Sequence, residues 1–155
     1  MANHKSSHTN HYRTLGLMLG ISFVVMYGLM YSMTNRFADV FMNINQVYMA
    51  ALMAAPMALI ELVLMRSMYA DRRLNMMIGI GALSVLLGSW VAIRQQVAVS
   101  DSQFLRSMIP HHSGAILMCE NANITDAEIA KLCATIVSGQ QQEIDQMRAI
   151  LNRLP

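Results

Sequence analysis

Charge is scarce in this chain. Lys, Arg, Asp and Glu make up 13% of it, about half the usual share. Apolar residues reach 55% and fall in long runs. That balance reads as a membrane protein rather than the single soluble domain that 155 residues would otherwise suggest. Net charge is only +2, with no basic stripe interleaved with aromatics, which excludes a nucleic-acid partner. The two cysteines, Cys119 and Cys133, are not in CxxC spacing, so no zinc-finger or thioredoxin-like motif is present. There is no Glu-x-x-His pair of the kind that di-metal bundle oxidases use, and no Ser-His-Asp or P-loop pattern. The expectation is a protein that is not an enzyme. Internal repeats and low-complexity segments are also missing.

Methionine is what the chain has in excess, with 16 residues. Met is a flexible apolar filler, and its thioether is also a soft ligand suited to Cu(I). Composition alone leaves both readings open.

Three apolar stretches have the ~20 residues that a bilayer requires: about 14–33, 45–65 and 74–93. The first ends in Tyr-Ser-Met-Thr-Asn-Arg-Phe rather than in a small-residue cleavage site, and so reads as a retained helix after a polar tail, 1–13. Its Gly16 and Gly20 form a small-xxx-small surface for close helix packing. Pro56 should kink the second stretch. Glu61, near its end, is expected to reach toward Arg66. Lys5, Arg13, Arg66, Arg72 and Arg73 flank one face of the membrane, against Arg36 and Arg94, with Arg106 further along, on the other. The positive-inside rule then places the N-terminus in the cytoplasm and residues 94–155 outside a bacterial plasma membrane, periplasmic or extracellular. His4, His8 and His11 share a helical face in the tail, which makes them either metal donors or ordinary tail residues.

From Asp101 the pattern becomes amphipathic. Phe104, Met108, His111, Ala115, Met118 and Ala122 recur at alternating four- and three-residue steps, one helical seam. Pro110 interrupts it. After the polar break 121–125, Thr125-Asp-Ala-Glu128 reads as a capping box. A second helix follows to about Leu151, with Ile129, Leu132, Ile136, Glu143, Met147 and Ile150 inward and Gln140 beside them. The short connection predicts an antiparallel hairpin. The two cysteines stand at unequal distances from its turn, which argues against a bridge within the chain and leaves one between chains open. The fold class is therefore all-α: three transmembrane helices, then an extramembrane hairpin that completes a four-helix bundle by oligomerisation, since one hairpin buries little apolar surface.

The chemistry concentrates in Met108-Ile-Pro-His111-His112-Ser-Gly-Ala-Ile-Leu-Met118. Imidazole with thioether selects copper. On the second helix a carboxylate interrupts an apolar face, which is costly unless it is paired or metal-bound. Glu143 and Met147 can come level with His111 and Met108. There Glu143 either ligates directly or accepts the free ring N–H of a ligating histidine. The plainer alternative makes the two histidines ordinary helix residues and Gln140 to Glu143 a hydrated surface.

These residues carry a resemblance. Phe104, Met108 to His112, Gly114 to Ile116 and Met118, followed by Gln140, Glu143, Ile144 and Met147, resemble the domain-of-unknown-function 305 family, the CopM-like copper-binding helical proteins. The resemblance implies a helical bundle and copper binding outside the cytoplasm, with Met108, His111, His112, Met118 and Met147 as ligands. Cys119 departs from the pattern and offers a thiolate. The functional expectation is a membrane-anchored copper-binding protein that buffers or transfers copper, Cu(I) in preference to Cu(II), acting as a homo-oligomer with a copper transporter or acceptor protein as partner. The alternative is a structural or interaction subunit whose hairpin is an oligomerisation or metal-responsive module of a transporter.

Overall fold

The computed structural model describes the backbone of residues 3–154 and the side chains of residues 11–154. The side chains of His4 and His8 lie outside the described residues. Among those described there are five α-helices and no strand: α1 Asn3–Leu29, α2 Ile44–Leu64, α3 Arg72–Gln95, α4 Asp101–Asn121 and α5 Ala127–Arg153. Two short 3₁₀ turns, Met30–Met33 and Phe37–Asp39, lie between α1 and α2. The chain divides into two compact units, one of residues 1–29 and 47–97, the other of residues 30–46 and 98–155.

The first unit holds three helices long and apolar enough to cross a membrane, His11–Met33, Ile44–Leu64 and Arg72–Gln95. Their outer faces are bare apolar side chains, Val24, Ile60, Val63 and Leu87 among them, a surface compatible with contact to hydrocarbon. The small residues that pack are not the expected glycines. Gly16 and Gly20 are exposed, and a Cβ at either would meet nothing within 4 Å. Ala50, Ala54, Ala55 and Ala58 on α2 are the buried ones. α2 continues as a helix through Pro56.

At one end of this unit the Tyr12 hydroxyl donates to Asn75 Oδ1 at 2.8 Å and accepts from the Asp71 amide at 3.2 Å. Asp71 itself caps α3, accepting from the amides of Arg73 and Leu74. Glu61 is met by Tyr69, whose buried hydroxyl donates to Oε1 at 3.1 Å, so the expected reach toward Arg66 is replaced by a contact to a phenol. Burial first, then the neighbouring Glu61, pushes the Tyr69 phenol above its ordinary value.

The second unit is the hairpin with the 30–46 loop folded onto it. Within the second unit residues 30–46 pair with α4, and within the first unit Tyr12 pairs with Asp71 and Asn75 at the start of α3. On α4 Leu105, Ile109, His112 and Ile116 form one buried stripe, with Cys119 continuing it, and Pro110, Ser113 and Gly114 are buried beside them. Val137, Ile144, Met147, Ile150 and Leu151 on α5, with the C-cap Leu154, belong to or pack against the same core. Both stripes step by four and three, as expected, but the α4 seam is shifted by one residue, and on α5 Ile144 is buried where Glu143 was expected inward. Phe104 and Met118 of the predicted seam are 50% and 54% exposed. α4 is capped by Ser100, whose Oγ accepts from the Gln103 amide. α5 starts from Asp126, which accepts from the amides of Glu128 and Ile129 and takes the capping role expected of Thr125.

Two further expectations need correction. Cys119 and Cys133 form a disulfide within the chain, Cα–Cα 5.3 Å, so there is no free thiolate at Cys119 in this state. Ala122 and Asp126, which bound the link between the helices, are both extended and carry the chain past the end of α4. The first turns of α5 therefore overhang, Ile129 and Leu132 are exposed, and Cys133 is the residue that draws level with the last turn of α4.

Candidate functional site

The one-residue shift of the α4 seam decides which histidine faces inward. His112 is on the buried stripe, with 11% of its side chain exposed, and its Nε2 lies 2.7 Å from Oε2 of Glu143, whose side chain is 57% exposed. Its Nδ1 lies 3.0 Å from the Met108 carbonyl oxygen one turn earlier. A carbonyl oxygen only accepts, so Nδ1 carries a hydrogen. Nε2 then faces the carboxylate oxygen. The backbone bond fixes the ring, and the carboxylate leaves one side of the pair open to solvent.

The other predicted site residues are placed as follows. His111 is exposed, with its ring centroid 6.2 Å from that of His112. Met108 is partly buried and packs against the core cluster, and Met147 is a buried member of it with Ile109 and Ile144. Met118 is exposed, nearly two turns beyond His112. The structure thus joins His112 to Glu143 directly and to Met108 through its carbonyl. No group of three or more His, Cys, Asp and Glu assembles among the described residues. Gln140, one turn before Glu143, has a buried Oε1 with no hydrogen-bond partner.

Sequence reasoning missed the residues that follow His112. Ser113 is fully buried. Its Oγ donates to Asp39 Oδ2 at 2.7 Å and accepts from the Asn35 amide at 2.9 Å. Asp39, itself buried, is also ion-paired with Arg148 of α5. Gly114 lets the loop backbone approach, since a Cβ there would stand 3.1 Å from the Met33 carbonyl oxygen. Pro110 lacks an N–H, so the Arg106 carbonyl loses its helical donor, and Asn43 Nδ2 donates to that oxygen at 3.4 Å. The Ile44 amide donates to Gln103 Oε1 at 2.9 Å. Pro110, Ser113 and Gly114 are thus accounted for by docking of the 30–46 loop, and His112 by the hairpin. The available signal was a Ser-Gly pair in mid-helix, where neither residue favours helix.

The model of the domain of unknown function DUF305 matches residues 87–151, from within α3 to near the end of α5. An uncharacterized protein of Acanthamoeba polyphaga mimivirus is 35% identical over 139 residues, 88% of this chain and 90% of that protein. No solved structure matches the chain. The chain therefore belongs to the family of this mimivirus protein and carries within it, over residues 87–151, the domain of unknown function DUF305.

Proposed function

We propose that this is a membrane-anchored copper-binding protein that buffers or transfers copper at the face of the membrane opposite its N-terminus, with no catalytic role. One observation carries the reading: a ring nitrogen oriented by a backbone bond and aimed at a half-exposed carboxylate, Nε2 to Oε2 2.7 Å. Copper takes its place between these two atoms. With metal–nitrogen and metal–oxygen bonds of about 2.0–2.2 Å, adjacent ligands stand roughly 3 Å apart, so the pair has to open by only a few tenths of an ångström. Glu143 is then a direct ligand rather than an orienting group. The buried, unpartnered Gln140 Oε1 is a further oxygen one turn away.

The preference for Cu(I) rests on the thioethers of Met108, Met118 and Met147. A second copy of the chain completes the donor set. Support for that assembly comes from the second apolar stripe of the hairpin, where Phe104 and Met118 on α4 and Ile129 and Leu132 on α5 are all at least half exposed. Such a stripe is what a four-helix bundle would cover. A copper transporter or acceptor protein is the proposed downstream partner.

The test is copper affinity of the full chain in detergent. His112→Ala should weaken binding by at least about tenfold, and His111→Ala far less. Equal binding by His112→Ala and the unmodified chain sinks the proposal. A structural role for the hairpin is the second reading, favoured by both His112 nitrogens being satisfied without metal. It predicts self-association that is the same with and without copper.

A further inference from the structure

We infer that the Cys119–Cys133 pair is a redox-gated site for a soft monovalent metal ion of the Cu(I) class, separate from the His112–Glu143 pair. The two cysteines bridge the last turn of α4 and the second turn of α5. Both are half-buried rather than enclosed. They line a cleft of ≈ 520 Å³ whose other walls are Ala122, Ala130, Ala134 and Ser138 with the larger Ile124 and Val137. The cleft gives a small dithiol access to the sulfurs, and accessible disulfides are the exchangeable ones.

The chemistry runs in two steps. A dithiol reductant attacks the bridge: its two S–H hydrogens pass to Cys119 and Cys133, the protein S–S bond breaks, and the reductant leaves as a disulfide. Cu(I) then displaces both thiol protons, giving a bis-thiolate complex and two protons, with no change in the oxidation state of the metal. Thiolates select Cu(I) over harder ions. Taking about 2.3 Å for a metal–thiolate bond, a linear site sets the sulfurs roughly 4.5 Å apart, a spacing that Cα atoms 5.3 Å apart reach by side-chain rotation alone. In the oxidised chain the same sulfurs are bonded to each other and offer no thiolate. The bridge is thus a gate: closed in an oxidising compartment, open wherever a dithiol reaches the turn.

The experiment is anaerobic Cu(I) titration of the full chain in detergent, once as the disulfide and once after dithiothreitol reduction and desalting, with a chromophoric chelator as competitor. The reduced chain should bind one more equivalent than the oxidised one and show a new thiolate-to-copper absorption. Cys133→Ser and, separately, Cys119→Ser should lose that equivalent. The same comparison in a His112→Ala, Glu143→Gln background should retain it, so a failure of the histidine site leaves this one measurable. Equal stoichiometry in both redox states overturns the inference. So does loss of helical circular dichroism on reduction, because an unfolded turn does not hold the two thiols together.

Discussion

Asp39, in the loop between α1 and α2, is ion-paired with Arg148 on α5, 109 residues further along the chain. The same carboxylate accepts from Ser113 on α4, so one buried side chain ties the loop to both arms of the hairpin. Two consequences follow. The hairpin is not a free-standing module, because the loop that begins at Met30 is part of its unit. And the residue beside His112 is held by a segment that continues directly into α1 and α2.

Asp39→Ala should therefore destabilise the second unit markedly. Removing one partner of a buried ion pair costs about 3–5 kcal/mol. The low end applies here because the Arg148 side chain is one-third exposed. Urea unfolding in micelles, read by hydrogen exchange of residues 30–46 and α5, measures it. Exchange that accelerates in neither segment would mean that the ion pair contributes nothing.

Gly114 and Gly139 form a matched pair. Both are in helix interiors, where alanine is intrinsically favoured by about 0.5–1 kcal/mol. At Gly139 nothing lies within 4 Å of an added Cβ, so Gly139→Ala should stabilise by roughly that amount. At Gly114 the added atom meets the Met33 carbonyl oxygen at 3.1 Å. Backbone does not yield as a side-chain tip would, so Gly114→Ala should destabilise, by about 1–3 kcal/mol. The opposite signs are the prediction, read as shifts of the urea midpoint.

The period of the hairpin was legible in the sequence and its phase was not, for a physical reason. Phe104, Met108, Ala115 and Met118 make an apolar stripe parallel to Leu105, Ile109, Ile116 and Cys119 one residue on, and periodicity cannot choose between two parallel stripes. What chooses is the hydrogen bonding of the polar neighbours. His112 and Ser113 are buried and hydrogen-bonded, whereas His111 is exposed. The three spans were legible because uninterrupted apolar length is a strong signal. The loop was not, because Asn35, Asp39 and Asn43 look like ordinary connecting residues until contacts 63 to 109 residues away are known. The disulfide was hidden by assuming that both helices begin level at the turn, which the extended link between α4 and α5 prevents.

Tyr69 carries a pH prediction. Its folded pKa is raised above 10.0 by burial and by Glu61, so the folded state favours the protonated phenol. Below the unfolded pKa both states are protonated and stability is unaffected. Above about pH 10 the unfolded chain releases its proton first, and stability falls with rising pH. Alkaline unfolding of the first unit should thus be less steep in Tyr69→Phe, which has no proton to lose, although that variant starts lower for want of the hydrogen bond to Glu61. Identical alkaline slopes would remove Tyr69 as the cause.

A hydrogen bond between Nε2 and Glu143 needs one hydrogen, which a metal in the same place would displace, and this separates the proposed copper site from adventitious binding to exposed methionines. Nδ1 keeps its hydrogen on the Met108 carbonyl, so the proton displaced is the one between Nε2 and Glu143. Binding should release about one proton per ion, and affinity should fall as the pH is lowered. A thioether has no proton to give, so a site built of methionine alone would show neither effect. Glu143→Gln keeps the shape but removes the charge. In that variant the affinity should drop while His111→Ala in the same background adds little. Titration in weak buffer, with proton uptake or release followed by an indicator dye, reads the stoichiometry directly. Copper binding with no proton release in the unmodified chain would place the metal on sulfur and leave His112 and Glu143 as a structural pair.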